Sequence, residues 1–258
     1  MSVPVPTYPD LSGRCAFVTG GSKGIGRATC RVLAANGVNV AVVARDSDAV
    51  EQTASELRSF GTESIGITAD CTSFAEIEKA RQETERRFGP VDILLPFAGG
   101  FGARTPTIDI TAEEWNFVLT SNLTATFLTV KAFLPAMVER KRGVIVTMAS
   151  NSGRYLDVTL TSSYAAAKAG IVMFTRHLAK EVGQHGIRAN VIAPATTMSD
   201  RVLGVWRDEG LAQLAALSPL GRVGTPEDSA MATLFLCSDA SGWITGVTID
   251  VAGGRIMM

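Results

Sequence analysis

The chain has 258 residues, 46% of them hydrophobic, and a formal net charge of −1. That length and apolar content suffice to bury a full core as one domain spanning residues 1–258. The charge balance has no basic run or acidic tail, which argues against nucleic acid or an anionic membrane as partner. No stretch approaches the roughly 20 apolar residues of a bilayer-crossing helix.

Met1 to Asp10 holds three prolines and no basic-then-apolar signal pattern, and reads as an arm on a cytoplasmic protein. Gly13 to Thr19 is a short apolar run, as a buried parallel strand should be, with the strand proper at Cys15–Val18. It leads into Gly20-Gly21-Ser22-Lys23-Gly24-Ile25-Gly26 and a helix over Gly24–Asn36, closed by Gly37. In that context glycines let the backbone approach a pyrophosphate, whose charge sits against free N–H groups at the helix N-terminus. The spacing is Gly-x-x-x-Gly-x-Gly rather than the commoner Gly-x-Gly-x-x-Gly. A flexible turn is the plain alternative; the flanking strand and helix favour the nucleotide.

Further strands are expected at Asn39–Ala44, Ser64–Ala69, Val91–Leu95, Gly143–Met148, Arg188–Ile192 and Thr248–Val251. Helices are expected at Ala49–Phe60, Phe74–Phe88, Ala112–Glu139, Ser162–Gln184 and Pro226–Ser238. Thr111 before Ala112-Glu113-Glu114, and Thr225-Pro226-Glu227-Asp228, are helix-start signals. Apolar strands alternating with helices predict an α/β fold with a doubly wound parallel sheet. The second strand ends at Ala44-Arg45, where an acidic residue would bond a free ribose 2′-OH and repel a 2′-phosphate. Arg45 and Lys23 instead suit a 2′-phosphate, although Asp46 dilutes their charge and either cation can be a solvated surface group. By itself Asp70 reads as the helix N-cap ahead of Phe74.

On the Ala-rich helix after Ser162, Tyr164 and Lys168 stand four apart on one face. A neighbouring ammonium favours the phenolate, which suits a tyrosine that gives and takes protons near neutrality. Ser199 to Val223 is long for a connection, as lids and binding loops are. His177 and His185 read as structural. Trp115 and Trp243 read as packing, and Trp206 as a lid residue able to touch substrate. Cys15, Cys30, Cys71 and Cys237 lack metal-site spacing and read as small buried hydrophobes.

Thr19-Gly20-x-x-x-Gly24-x-Gly26 together with Tyr164-x-x-x-Lys168 resembles the short-chain dehydrogenase/reductases, over roughly Leu11 to Gly254. Asp70, Ala98-Gly99, Asn122 in Ser121-Asn122-Leu123, Ser150, and Asn190 through Pro194 fall in the family's order. The resemblance implies a Rossmann-type sheet of seven strands ordered 3-2-1-4-5-6-7, with helices on both faces. It implies NADP as cofactor, held by Gly20, Ser22, Lys23, Gly24, Ile25, Gly26 and Arg45. Asp70 and Cys71 would meet the adenine, and Ala98 and Gly99 would lie beside the cofactor. Tyr164 and Lys168 would meet the nicotinamide ribose, while Pro194, Ala195, Thr197 and Ser199 would hold the carboxamide side.

By the same resemblance Tyr164 is the proton donor in reduction, Lys168 lowers its pKa, Ser150 orients the substrate oxygen, and Asn122 holds a water linking Lys168 to solvent. Ser150, Ser152, Tyr164 and Trp206 would contact substrate under a lid at about 199–223. Tyr164 to Gly170 and Pro219-Leu220-Gly221-Arg222 are similar to the 3-oxoacyl-carrier-protein reductase branch. The implied activity is reduction of a ketone, with a 3-oxoacyl thioester as one candidate. Alternatives are oxidation of a sugar, steroid or cyclic alcohol, and a non-catalytic NADP(H)-binding regulator. Enoyl reductases of the family space Tyr and Lys further apart. Relatives form homotetramers through the two long central helices and the C-terminal region.

Three departures matter. Ser150 lies one position further from Tyr164 than relatives commonly show, which would point to Asn151. Ser152 competes, but only Ser150 forms Ser-x-x-Gly with Gly153, and a one-residue insertion near Tyr155–Thr161 absorbs the difference. If strand alternation continued, Ser150 and Ser152 would face the same side. Pro96-Phe97 replaces the family's Asn-Asn before Ala98-Gly99, so two amides and one backbone donor are missing. Pro194-Ala195 replaces Pro-Gly.

Overall fold

The computed structural model describes residues 4–102, 104–155, 160–199 and 208–257. Its strands are β1 (Cys15–Thr19), β2 (Asn39–Ala44), β3 (Ser64–Thr68), β4 (Ile93–Pro96), β5 (Gly143–Met148), β6 (Ile187–Pro194) and β7 (Thr248–Val251). They form one seven-stranded sheet in the order β3-β2-β1-β4-β5-β6-β7, parallel at every pairing. The chain therefore reverses direction across the sheet between β1 and β4. In open sheets of this kind ligands bind in the crevice at such a reversal, outside the carboxyl ends of the strands.

Period-two alternation distributes the core to two faces. On one, Ala16, Val18, Val40, Val42, Ile93 and Leu95 pack with α1 (Gly24–Ala34), α2 (Ser47–Arg58) and α8 (Pro226–Cys237). On the other, Phe17, Ala41, Val43, Leu94 and Ile145 pack with α3 (Phe74–Phe88), α5 (Ala125–Arg140) and α6 (Ser162–Val182). The Phe17 and Phe133 rings meet there at 4.5 Å between centroids. Every residue of β1 is buried, as a central strand covered on both faces must be.

Helix starts follow the residues that signal them. Thr111 and Glu114 form a capping box at α4 (Ala112–Leu119), and the Asp228 carboxylate accepts the Thr225 N–H at 2.7 Å. Asp46 caps α2. Ser73, not Asp70, caps α3, so the N-cap alternative for Asp70 does not hold. The helix expected over Ala112–Glu139 is interrupted by a π-helical turn, Thr120–Thr124, between α4 and α5. Taken together, Ala112–Arg140 is long and apolar enough by length and composition to cross a bilayer, contrary to the compositional expectation, and 44% of its most apolar window is buried. Burial of that kind is what a core helix also shows.

β4 is shifted toward its C-terminus, ending on Pro96. Its ladder with β5 covers only Ile93 and Leu94, so the proline lies past that pairing. β6 runs beyond Ile192 because Ala193 and Pro194 pair with Asp250 and Val251 of β7. Within the long connection after β6, Asp208–Ala216 forms helix α7; Trp206 lies outside the described residues.

Candidate active site

The glycine turn leaves β1 and enters α1. Gly20 adopts φ +66° and Gly24 φ +52°, a region L side chains rarely occupy. A Cβ on Gly20 would stand 3.0 Å from the Phe97 carbonyl oxygen, and one on Gly26 would strike the Gly20 carbonyl. The absent side chains thus allow β1, the loop after β4 and the first turn of α1 to close on one another. Lys23 occupies the N-cap of α1 without a side-chain cap bond, which leaves first-turn N–H groups available to an anion. Across the turn, the Ser199 Cβ lies 4.0 Å from where a Gly24 Cβ would be. The segment after β6 therefore overhangs the glycine turn. Within it the Thr197 hydroxyl donates to the Ala195 carbonyl at 3.0 Å, and the Met198 N–H donates to the Gly224 carbonyl at 2.7 Å. Ser22 is buried and Ile25 half-buried in the same turn.

At the end of β2 the cations do not stand alone. The Lys23 ammonium pairs with the Asp46 carboxylate at 3.0 Å, with both side chains mostly exposed. That bond holds the Asp46 carboxyl below its usual range. Arg45 is exposed, and its charge also reaches Asp70 and Cys71. The Asp70 carboxylate accepts from the Thr72 N–H at 2.9 Å and the Thr72 hydroxyl at 2.8 Å, and these bonds lower its pKa. Cys71 is buried, which pushes its thiol up to about 12; Cys15, Cys30 and Cys237 are likewise buried and free.

The loop after β4 has no Asn-Asn amides, and its backbone is held by other groups. The Ala98 N–H donates to the Thr19 hydroxyl at 3.0 Å. Asn122, fully buried in the π-helical turn, accepts the Gly100 N–H at 3.2 Å and donates to the Gly100 carbonyl at 2.9 Å. It also donates to the Val118 carbonyl at 2.9 Å. A Cβ on Gly99 would run into the Asn122 side chain. The amide of Asn122 is thus engaged with the loop.

Tyr164 and Lys168 stand side by side on α6, and the segment that carries Ser150 packs against that helix. Lys168 is 4% exposed, and its ammonium donates to the Met148 carbonyl at 3.0 Å. It lies 5.5 Å from the Tyr164 ring centroid. Burial pushes its pKa down to about 8. The Thr161 hydroxyl caps α6 by accepting the Tyr164 N–H at 3.3 Å. Met148 precedes Ser150 by two residues. Gly153, three residues after Ser150, sits so close to α6 that its Cβ would be 2.5 Å from the Lys168 carbonyl carbon. Ser150 therefore lies between two points that both touch Lys168.

After Ser150 the chain turns into a 3-10 helix, Asn151–Gly153. Strand alternation does not continue, which removes the argument that Ser150 and Ser152 share a side. The Ser150 hydroxyl donates to the Asn151 amide oxygen at 3.1 Å and accepts the Ser152 N–H at 3.2 Å. The Ser152 hydroxyl is buried without a partner among the described residues.

Sequence reasoning missed three participants. Phe101 meets Tyr164 edge-on at 6.2 Å between ring centroids; nothing in the loop sequence signals that approach. Thr19 and Gly153 stand in the motifs, but the hold of the Thr19 hydroxyl on Ala98 and the contact of Gly153 with α6 are not signalled there. His177 is largely exposed beside Glu181. Trp243 is fully exposed and Trp115 37% exposed, so neither is buried in the core.

A family model described as Enoyl-(Acyl carrier protein) reductase matches residues 20–255. The 3-oxoacyl-[acyl-carrier-protein] reductase FabG of Escherichia coli (strain K12) is 35% identical over 249 residues, covering 96% of this chain and all of that protein. The cyclohexanol dehydrogenase of Rhodococcus sp. (strain TK6) is 37% identical over 260 residues, covering 95% and 96%. A crystal structure of a 3-oxoacyl-[acyl-carrier protein] reductase with bound NAD from Brucella melitensis superposes with a TM-score of 0.91. It is 30% identical and covers all of this chain and 98% of that one. These likenesses run nearly end to end. The chain accordingly belongs to the short-chain dehydrogenase/reductase family, as an oxidoreductase that works on a carbonyl or alcohol with a nicotinamide cofactor.

Proposed function

We propose that this protein reduces a ketone to a secondary alcohol with NADPH, Tyr164 giving the proton, and that a 3-oxoacyl thioester is its first candidate substrate. The observation that carries the reading is the buried Lys168 ammonium beside Tyr164 at the carboxyl end of β5. A cation kept out of water there stabilises negative charge on the phenol oxygen more strongly than a surface lysine would. It thereby eases proton transfer to the carbonyl oxygen as that oxygen becomes an alkoxide. A nicotinamide held in this site would supply the hydride. Ser150 gives the substrate oxygen a hydrogen bond once its hydroxyl turns from Asn151, and so stabilises the developing charge. The Tyr164–Lys168 spacing favours a carbonyl over an enoyl substrate.

The crevice suits a dinucleotide. The Gly20 to Gly26 turn takes the pyrophosphate at the α1 N-terminus, with Asp70 and Cys71 at the adenine end. Ala98 and Gly99 would lie beside the cofactor, and Pro194, Ala195, Thr197 and Ser199 would take the carboxamide side. Arg45 takes a 2′-phosphate, joined by Lys23 when the latter leaves Asp46. Asn122 contributes by fixing Gly100. Residues 199–223 act as the lid, in a cytoplasmic single-domain protein that assembles as a homotetramer through the α4–α5 and α6 faces, where Phe117, Phe127 and Met173 are exposed.

A second reading is oxidation of a cyclic alcohol with NAD. Lys23 is already engaged by Asp46, and one relative is a cyclohexanol dehydrogenase. Steady-state rates decide between them, measured with NADPH, NADH, NADP and NAD on 3-oxoacyl and enoyl thioesters, cyclic ketones and alcohols. The first reading requires NADPH with a 3-oxo substrate to give the highest kcat/KM. Tyr164→Phe should then lose turnover at least about a hundredfold while retaining NADPH affinity; full turnover in that variant would remove Tyr164 as the proton donor, and a wild type that binds NADPH but turns over nothing on the panel would leave only a cofactor-binding regulator.

A further inference from the structure

We propose that Arg154 and Asp250 act as a positioning pair that holds the Ser150 turn in its reactive placement, an inference that rests on Ser150 being the serine of the reaction. Beyond Ala149, whose N–H still donates to the Ile192 carbonyl at 2.9 Å, the chain leaves the sheet and no strand partner holds it. Ser150 then enters the Asn151–Gly153 turn, and its hydroxyl is set by that turn through Asn151 and the Ser152 N–H. Any movement of the turn moves the Ser150 oxygen with it.

Two contacts outside the turn restrain it. Gly153 abuts the backbone of α6 at Lys168 and Ala169. On the other side, Arg154 follows the turn directly and reaches back across β6 to β7. Its Nε donates to Asp250 Oδ1 at 2.8 Å and its Nη2 to Asp250 Oδ2 at 3.0 Å. The side chains are only 13% and 16% exposed. Asp250 is fixed in turn by the sheet, in register with Ala193 of β6. An exposed pair would contribute little. This one is a two-point fork, largely shielded from water, which adds direction as well as attraction, and removing either partner strands a charge. Arg154 itself is bonded into the turn, its N–H donating to the Asn151 carbonyl at 2.9 Å. The fork thus ties the turn to β7, while Gly153 ties it to the helix that carries Tyr164 and Lys168.

The test compares Asp250→Asn and Arg154→Gln in the full-length enzyme, each made alone and in a Ser150→Ala background, with NADPH and the best ketone from the panel. A misplacement of about 1 Å costs on the order of a hundredfold. Each single variant should therefore lower kcat about tenfold to a hundredfold, with the NADPH dissociation constant within about twofold of wild type. In the Ser150→Ala background the same substitutions should change kcat less than about twofold, because the hydroxyl they position is gone. Arg154→Lys, which keeps charge without the fork, should fall between. Equal losses in both backgrounds, or no loss in the single variants, overturn the proposal. If Ser150→Ala alone leaves kcat unchanged, the assignment of Ser150 fails and the pair's role with it. Failure of both single variants to fold assigns the pair to global stability and likewise overturns it.

Discussion

Replacing Gly153 with alanine adds one methyl group at the point where the serine turn meets the Tyr164–Lys168 helix. The new Cβ would stand 2.5 Å from the Lys168 carbonyl carbon, 2.6 Å from the Ala169 nitrogen and 2.8 Å from the Lys168 Cβ, where ordinary contact begins at 3.4 Å. Two of those atoms are helix backbone and cannot swing aside. Turn and helix must therefore separate by about an ångström, an overpacking that costs roughly 1–3 kcal/mol. Gly153 is not among the positive-φ glycines, so the effect is steric and not conformational. Ser150, three residues upstream, moves with the turn, and a displacement of this size predicts a loss of about a hundredfold in kcat. NADPH affinity should change little, because the glycine turn and the end of β2 are not involved. The assay is steady-state reduction with fluorescence titration of NADPH and thermal unfolding. Gly183→Ala serves as control, since a Cβ there meets nothing within 4 Å. A Gly153→Ala enzyme within twofold of wild-type kcat would refute the idea that this contact sets the geometry of the site.

Other outcomes follow from the same geometry. Burial lowers Lys168 from 10.5 to about 8, so between those values the unfolded chain binds more protons than the folded one and stability rises with pH. The destabilisation is full below about pH 8 and relieved by about 10.5. Wild type should gain on the order of 3 kcal/mol relative to Lys168→Met across that window in denaturant titrations; parallel curves would contradict the burial of a charged lysine. Arg45→Ala should shift cofactor preference from NADPH toward NADH, and Asp46→Asn should shift it the other way by releasing Lys23; an unchanged preference in both removes the 2′-phosphate assignment. Phe101→Ala should raise KM for the ketone about fivefold, the worth of one aromatic contact, while NADPH binding stays the same.

The sheet was legible because its strands are buried on both faces. Runs such as Val40 to Val43 have no polar residue to blur their limits, and Gly, Asn or Asp marks the turns between them. Boundaries were less legible where pairing decides them. β6 extends to Pro194 only because β7 supplies partners for Ala193 and Pro194. The π-helical turn at Asn122 has no local signature. Its cause is tertiary, since the Asn122 amide binds Gly100 from 22 positions away in the chain. The positions of Gly20, Gly24, Asn122, Ser150, Tyr164 and Lys168 followed from motif order, but their attachments did not. Neither the Lys23–Asp46 pair nor the Arg154–Asp250 fork is readable from spacing, because each joins residues brought together only by the strand order.

The departure at Pro96-Phe97 shows how much freedom the architecture leaves. Two amides are missing from the loop beside the crevice, yet that loop is anchored at both ends by groups that other needs already place there. Thr19 ends the central strand β1, and its hydroxyl holds the Ala98 N–H. Asn122 holds Gly100 from the opposite side. Pro96 withholds a donor beyond the point where β4 and β5 cease to pair, while on its other side it stays in register with Thr19 of β1. Phe97 is 6% exposed and packs with the core on the α1 face, exchanging amide bonds for apolar burial. The loop is thus fixed by its neighbours and not by its own side chains. That is why a substitution at Thr19 should disturb the crevice more than one at Pro96: Thr19→Val leaves the Ala98 N–H unpaired, at about 1–3 kcal/mol, whereas Pro96→Asn only restores a donor that the existing ladder does without. Weaker NADPH binding in the first variant and unchanged binding in the second would bear this out; the reverse order would place the anchoring in the loop itself.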